Sequence, residues 1–123
     1  MKNYIGTDII EVDRVKKAME DANFSLRVFT DEEVKYCESK SERTKYQHYA
    51  ARFAAKEAVF KAISPLLKNK YEIGWKNIEI LKDENDRPFV NLLDIEIKHL
   101  EIDVSLSHVK DTAVATAIAT LLK

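Results

Sequence analysis

The chain has 123 residues, of which 46% are hydrophobic and 33% charged, and its formal net charge is −1. A chain of this length has room for one hydrophobic core, so we expect a single domain over residues 1–123. The near-zero net charge excludes a general attraction to nucleic acid or acidic membranes, and no stretch approaches the roughly 18 apolar residues that a membrane span needs.

Two further features of the sequence concern compartment and assembly. Cys37 is the only cysteine, which excludes an intrachain disulfide and fits a reducing compartment. The first residues, MKNYIGTDIIEVDR, carry acids where a signal peptide needs an apolar core, so we expect a cytoplasmic protein. Because a chain this short buries only about two-thirds of its unfolded surface, we also expect it to form oligomers.

The first third of the chain is predicted to form one strand followed by helices. Residues 4–10 read as a short strand that turns at Gly6–Asp8 into a helix, with Asp13 as the N-cap of that helix. Thr30 and Glu33 have the spacing of a capping box, which predicts the start of a second helix.

The remaining elements change from helical to strand periodicity. A long helix is predicted from Glu42 to Ile63, ended by Pro65. Residues 75–81 and 89–92 flank the turn-forming segment DENDRP and predict a β-hairpin. A short helix over residues 93–100 and two strands, at 102–106 and 113–121, complete the chain. This order predicts an α+β fold in which a small antiparallel sheet packs against helices.

The long helix contains the most informative segment, RFAAKEAVFKAI. Glu57 and Lys61 are about 40° apart on its helical wheel, while Arg52 and Lys56 point to the opposite side. One interpretation is a simple i,i+4 ion pair on an exposed helix, worth about 0.2–0.5 kcal/mol. The other is a ligand site, since the helix is apolar around the pair and a carboxylate in such surroundings needs a cation or a metal beside it.

Asp8 and His108 are the other candidates. Asp8 reads as a local cap when considered alone, but Asp8 together with Glu57 offers two hard oxygen ligands from separate elements, which suits Mg²⁺. His108 closes the strand VSLSH, where ligand contacts are common, although a histidine at the end of a strand is more often an ordinary surface residue. His48 and His99 are interpreted as structural.

Five segments together resemble the holo-acyl-carrier-protein synthases, the small group of the 4′-phosphopantetheinyl transferases. They are IGTDIIEVDR at 5–14, FTDEEVKYC at 29–37, ARFAAKEAVFKAI at 51–63, WKNIEILKDENDRPFV at 75–90 and SLSHVKDTAVA at 105–115. Their order and spacing match over nearly the whole chain. The hairpin turn differs, because Asn85–Asp86 stands where Asn-Gly is usual in the family.

The resemblance implies the 4′-phosphopantetheinyl transferase fold and a homotrimer with coenzyme A bound between subunits. By matching positions it implies Mg²⁺ ligands at Asp8 and Glu57 and a catalytic lysine beside the phosphates at Lys61. The implied contacts to coenzyme A are Lys61, Arg43, Arg52, Asn85, Arg87, Pro88 and His108. The implied docking surface for an acidic carrier protein consists of Arg14, Lys17 and Arg27.

The implied reaction transfers the 4′-phosphopantetheine arm of coenzyme A to a serine of apo acyl carrier protein and releases adenosine 3′,5′-bisphosphate, in support of fatty acid and lipid biosynthesis. Two alternatives remain at this stage. One is a coenzyme A-binding module without turnover, against which the presence of all three catalytic positions argues. The other is a Mg²⁺-dependent phosphate hydrolase, which would need a positioned base that the sequence does not offer.

Overall fold

The structure is a computed structural model that describes the backbone of residues 1–123 and every side chain except that of Lys70. In chain order its elements are β1 (Lys2–Glu11), α1 (Val12–Ala18), α2 (Ala22–Val28), α3 (Asp31–Glu38), α4 (Lys45–Ile63), β2 (Ile78–Lys82), β3 (Pro88–Leu92), β4 (Leu100–His108) and β5 (Thr112–Leu121). Single 3₁₀ turns lie between α4 and β2 at Ser64–Leu66, Lys70–Glu72 and Trp75–Asn77. The predicted α+β class is confirmed.

Two antiparallel sheets accompany the helices. The larger has the strand order β1-β5-β4, and β2 pairs with β3 as the predicted hairpin. The central strand β5 alternates buried alanines with outward side chains, so its alanine face lies on α4. Among the described residues, no helix is long and apolar enough to cross a bilayer.

Small residues let α4 lie very close to the sheet. Ala54, Ala58 and Ala62 on α4 are fully buried against the alanines of β5. A Cβ atom at Gly6 of β1 would lie only 1.9 Å from the Ala58 carbonyl oxygen, so only glycine fits there. The strand and the helix therefore touch backbone to backbone beside the predicted site.

A second core lies between α1, α2, α3 and the first half of α4. Val15, Val28, Phe29 and Tyr49 are buried in it, and the Phe29 and Tyr49 rings lie 5.0 Å apart. The predicted capping box is present at the start of α3, where the Thr30 hydroxyl accepts from the Glu33 backbone N–H and the Glu33 carboxylate accepts from the Thr30 N–H. It fixes the direction in which α3 leaves this core.

The prediction for the first strand was wrong at its end. No turn occurs at Gly6–Asp8, because β1 pairs with β5 along its whole length, from Lys2 opposite Leu121 to Glu11 opposite Thr112. Helix α1 begins at Val12 with Glu11 as its N-cap. Asp13 lies in the first turn instead, where it pairs with Lys17 at 3.4 Å.

The predicted helix over residues 93–100 was also wrong. Asp94 and His99 have φ angles of 59° and 64°, which a right-handed helix cannot contain. Ile95 and Ile97 pack on the core, while Glu96 between them and Lys98 after them are exposed, which is an extended pattern. The other bounds shift slightly: α4 begins at Lys45 rather than Glu42, and β2 begins at Ile78 because Trp75–Asn77 forms a turn.

Candidate functional site

The contact between β1 and α4 brings two of the predicted residues together. Lys61 Nζ lies 3.2 Å from Asp8 Oδ1 and donates to the Thr7 carbonyl oxygen at 2.9 Å. Asp8 lies on the same face of β1 as Gly6, and its side chain is 19% exposed. The sequence-based alternative of Asp8 as a local helix cap is excluded, because Asp8 lies inside a strand.

Glu57 lies on α4 one turn before Lys61. Gly6 faces Ala58 and Ala62, whereas Val12, just after β1, shares a core cluster with Ala50 and Ala51. β1 therefore runs antiparallel to α4, and Asp8 lies opposite the middle of the helix, near the turn that contains Glu57. Lys61 pairs with Asp8, and the Glu57 carboxylate accepts from the Trp75 indole N–H at 2.5 Å, so the i,i+4 ion pair is not the arrangement found.

The donor set of Asp8 and Glu57 fits a hard cation. Mg²⁺ in proteins is commonly held by one or two carboxylates, with substrate phosphates and water completing the shell. Among the described residues, no group of three or more His, Cys, Asp or Glu side chains could hold a metal by itself. A cation between Asp8 and Glu57 would therefore depend on a phosphate-bearing ligand.

A cleft of about 330 Å³ opens beside Glu57. Its walls are mostly apolar and include Phe60, Ile73, Trp75 and Ile78. If the phosphate-bearing ligand also carries a slender and largely uncharged chain, that chain would find apolar contacts in this cleft.

A second candidate region surrounds Tyr36, on the side of α4 that faces α3 and β4. Arg52 is 2% exposed, its guanidinium carbon lies 3.9 Å from the centre of the Tyr36 ring, and its Nε and Nη2 atoms have no hydrogen-bond partner among the described residues. Lys40 and Lys82 lie 4.6 Å and 5.5 Å from the same ring. A buried cation that is held by a ring rather than by a carboxylate keeps its charge available for an anion.

His108 lies at the end of β4, as predicted, and adjoins the cluster that Arg52, Lys40 and Lys82 form around Tyr36. Its ring lies 5.2 Å from that of His48, which the sequence had suggested was only structural. Burial, followed by the charges of Arg52 and Lys82, lowers the pKa of His108. At Tyr36 burial raises the pKa, but the contact with Lys82 and the charges of Arg52 and Lys40 outweigh it, so the pKa of that phenol is lowered. Three cations, Arg52, Lys40 and Lys82, therefore lie around Tyr36.

The hairpin turn lies next to the cluster through Lys82. The Asp83 carboxylate accepts from the backbone N–H groups of Asn85 and Arg87, at 2.8 and 3.0 Å. Asp86 adopts the left-handed conformation, with φ of 62°, and pairs with Lys82 at 3.3 Å. Asn85 and Arg87 are exposed, and Pro88 begins β3.

The remaining predicted residues lie on the surface around α1, α2 and the start of α4. Arg14, Lys17 and Arg27 are exposed, and Arg27 Nε donates to the Asn23 carbonyl oxygen at 3.3 Å. Arg43 is also exposed, and it lines a cleft of about 760 Å³ together with Lys16 and Lys110.

Comparison with known proteins decides the family. A model of the 4′-phosphopantetheinyl transferase superfamily matches residues 4–119. The chain belongs to this superfamily. The holo-[acyl-carrier-protein] synthase of Ruminiclostridium cellulolyticum is 47% identical over 98% of this chain and 94% of its own length. That of Clostridium beijerinckii is 42% identical over 93% and 94%.

Solved structures agree with this membership. The holo-(acyl-carrier-protein) synthase from Bacillus anthracis, in complex with CoA (3′,5′-ADP), matches with a TM-score of 0.78 and 30% identity over 94% of each chain. The predicted 4′-phosphopantetheinyl transferase fold is thereby confirmed.

The sequence did not predict that Trp75 lies beside Glu57 or that several cations surround Tyr36. Trp75 was assigned to a strand, so its proximity to Glu57 was not expected. Tyr36 lies in the last turn of α3 and Lys40 follows two residues after the end of that helix. Their four-residue spacing could have indicated a shared surface. Lys82 and His48 come from other elements, and only the tertiary fold brings them to the same ring.

Proposed function

We propose that this chain is a Mg²⁺-dependent holo-[acyl-carrier-protein] synthase, a single transferase domain over residues 1–123. It transfers the 4′-phosphopantetheine arm of coenzyme A to a serine of apo acyl carrier protein. The observation that carries the proposal is the pairing of Asp8 with Lys61, one helical turn from Glu57, in a chain that belongs to the superfamily. Relatives at 40–47% identity that carry this name support it.

The three residues have distinct roles in the proposed reaction. Asp8 and Glu57 hold Mg²⁺, which spreads the negative charge of the pyrophosphate and its leaving oxygen when it is bound. Lys61 supplies a second positive charge at the same group. The serine oxygen forms the new bond to the β-phosphorus, the bond to the leaving oxygen breaks, adenosine 3′,5′-bisphosphate departs and the hydroxyl proton passes to water.

The nucleotide part of coenzyme A binds, in this proposal, at Arg52 and His108, with further contacts from Arg43 and from Asn85, Arg87 and Pro88 of the hairpin turn. The two unpaired nitrogens of buried Arg52 support this assignment, because a buried guanidinium needs an anion to offset its desolvation. The lysines around Tyr36 add to the positive field there.

Carrier docking is proposed at Arg14, Lys17 and Arg27. These cations are exposed, on a chain whose net charge is −1, and Lys17 is paired with Asp13 on the same surface. Such a surface attracts an acidic partner and orients it during encounter. With this substrate, the chain would act in the cytoplasm in support of fatty acid and lipid biosynthesis.

A homotrimer with active sites between subunits is part of the proposal. The outward face of the large sheet exposes Ile5 opposite Ile118 and Ile9 opposite Val114, an apolar patch that a further copy of the chain could cover.

Arg52 and Lys61 lie on opposite sides of α4, so one chain cannot easily offer both to one ligand. Mixing inactive Glu57→Gln and Arg52→Ala chains should restore activity if subunits share sites, and no recovery after verified subunit exchange would contradict this.

The decisive test is to incubate the protein with coenzyme A, Mg²⁺ and apo carrier protein and to measure the mass of the carrier. A gain of one phosphopantetheine group supports the transferase. Release of phosphate or phosphopantetheine without a carrier would indicate a hydrolase instead, and binding without turnover would indicate a coenzyme A-binding module.

Glu57→Gln tests the site itself. It removes one negative charge at constant shape, so we expect turnover to fall by orders of magnitude while the circular dichroism spectrum is unchanged. Glu96→Gln makes the same chemical change at an exposed position in the loop before β4 and should retain activity. Full activity in Glu57→Gln would contradict the assigned role.

A further inference from the structure

The indole of Trp75 is bonded to the carboxylate on which the proposed metal site depends. Trp75 Nε1 donates to Glu57 Oε1 at 2.5 Å, a short distance for a hydrogen bond to a charged acceptor. An indole N–H can only donate, so Oε1 is the acceptor, and Oε2 of Glu57 receives no hydrogen bond from Trp75. The side chain of Trp75 is otherwise 40% exposed and lies at the edge of the apolar cleft.

The turn that carries Trp75 is fixed at several points. The Trp75 ring packs against the Phe53 ring, with 6.1 Å between the ring centres. The Asn77 side chain accepts from the Gly74 N–H at 2.7 Å and donates to the Leu93 carbonyl oxygen at 2.7 Å. The indole is thus presented from a rigid turn rather than from a free loop.

A buried ion pair anchors the same turn to α4. Lys56 Nζ lies 2.7 Å from Glu33 Oε1, and both side chains are fully buried. The same ammonium group donates to the carbonyl oxygens of Trp75 and Ile78, at 3.0 and 2.7 Å. Lys56 and Glu57 are neighbours on α4, so one stretch of helix holds the turn through Lys56 and receives the indole N–H at Glu57.

We propose that Trp75 is a positioning residue that holds the Glu57 carboxylate so that Oε2 faces the metal, an inference that rests on the proposed function. A glutamate on a half-exposed helix face has several accessible rotamers, and ordering it costs free energy when the metal binds. The hydrogen bond from Trp75 orders it beforehand. Partners of metal-bound carboxylates typically contribute 10- to 100-fold to metal affinity.

Trp75→Phe keeps an aromatic ring beside Phe53 and removes the N–H group. We expect the Mg²⁺ concentration for half-maximal transfer to rise about tenfold, with kcat recovering at saturating Mg²⁺. Trp75 is the only tryptophan of the chain, so replacing tryptophan globally with benzothienylalanine exchanges N–H for sulfur at this position alone. It should reproduce the same shift without a change of shape.

A readout independent of turnover is the binding of Mn²⁺, a paramagnetic substitute for Mg²⁺, measured from the electron paramagnetic resonance of the free ion with coenzyme A present. We expect Trp75→Phe to weaken Mn²⁺ binding in the same proportion as it raises the Mg²⁺ requirement. In a Glu57→Gln background, Trp75→Phe should have no further effect, because the path through Glu57 is gone.

The outcomes separate this inference from the proposed function. An unchanged metal requirement in a folded Trp75→Phe protein overturns the role of Trp75, as does a lower kcat at saturating Mg²⁺ with an unchanged requirement. Loss of Mn²⁺ affinity that persists undiminished in the Glu57→Gln background also overturns it. If the wild-type protein transfers nothing to the carrier, the proposed function fails, and the Mn²⁺ measurements still decide the role of Trp75.

Discussion

Gly6→Ala tests whether the close contact between β1 and α4 sets the catalytic geometry. The new Cβ would lie 1.9 Å from the Ala58 carbonyl oxygen and 2.9 Å from the Ala62 nitrogen, where ordinary contacts begin at 3.4 Å. The obstructing atoms are backbone and cannot rotate away, so strand and helix must separate by about 1.5 Å at this point. Overpacking of this kind costs roughly 1–3 kcal/mol and occasionally more.

The same separation displaces Asp8 on β1 from Lys61 and Glu57 on α4. A misplacement of about 1 Å at a reacting centre can cost on the order of 100-fold in rate. We therefore expect urea unfolding to show a loss of at least about 1 kcal/mol, and carrier mass analysis to show kcat/KM lower by about 100-fold. Gly74→Ala is the matched control for stability, because its Cβ meets only Asn77 Oδ1 at 3.7 Å.

Two results would refute this reasoning. Wild-type stability in Gly6→Ala would mean that the strand and helix are not in close contact. Reduced stability with unchanged kcat/KM per folded molecule would mean that the contact supports the fold without setting the site.

Three further predictions concern charge. Burial, then the His108 ring and the cations of Arg52, Lys40 and Lys82, lowers the pKa of His48 to about 4. The unfolded chain takes up that proton near pH 6.5 and the folded chain does not, so the free energy of unfolding should fall as pH drops from 6.5 towards 4, and less so in His48→Gln. Tyr36→Leu should raise KM for coenzyme A by removing the ring under Arg52, whereas Tyr36→Phe should not. Added salt should raise KM for the carrier far more than KM for coenzyme A, and equal effects would contradict electrostatic docking.

Local signals in the sequence were sufficient for much of the fold. The capping box at Thr30 and Glu33 depends on four adjacent residues, and the structure contains it. The helical wheel of α4 placed Arg52 and Lys61 on opposite sides, as found. These features depend on neighbouring residues, so pattern reasoning can reach them.

Features that depend on distant residues were beyond such reasoning. Gly6 suggested a turn by its usual preference, but its role is to admit Ala58 of α4, which is 52 residues away along the chain. Residues 93–99 have enough apolar positions for a helix, yet Ile95 and Ile97 reach the core in an extended conformation. The bond between Trp75 and Glu57 likewise joins two elements whose proximity only the tertiary fold creates.

Variants of the buried pair of Lys56 and Glu33 can distinguish an effect on the stability of the fold from an effect on the position of Glu57. Lys56→Met leaves the Glu33 carboxylate buried without its cation, which should cost about 3–5 kcal/mol. Adding Glu33→Gln removes the unpaired charge, but its amide keeps only one of the two oxygens that accept from the Thr30 and Ile80 N–H groups. The double variant should therefore recover part of that stability in urea unfolding.

Lys56→Met also removes the ammonium group that binds the Trp75 carbonyl oxygen, so we expect it to raise the Mg²⁺ concentration needed for half-maximal transfer. The double variant still lacks that group, so its Mg²⁺ requirement should remain higher than that of the wild type. A double variant with a wild-type Mg²⁺ requirement would show that Glu57 is positioned without this anchor, and would leave the burial of a lysine beside the metal ligand without a functional reason.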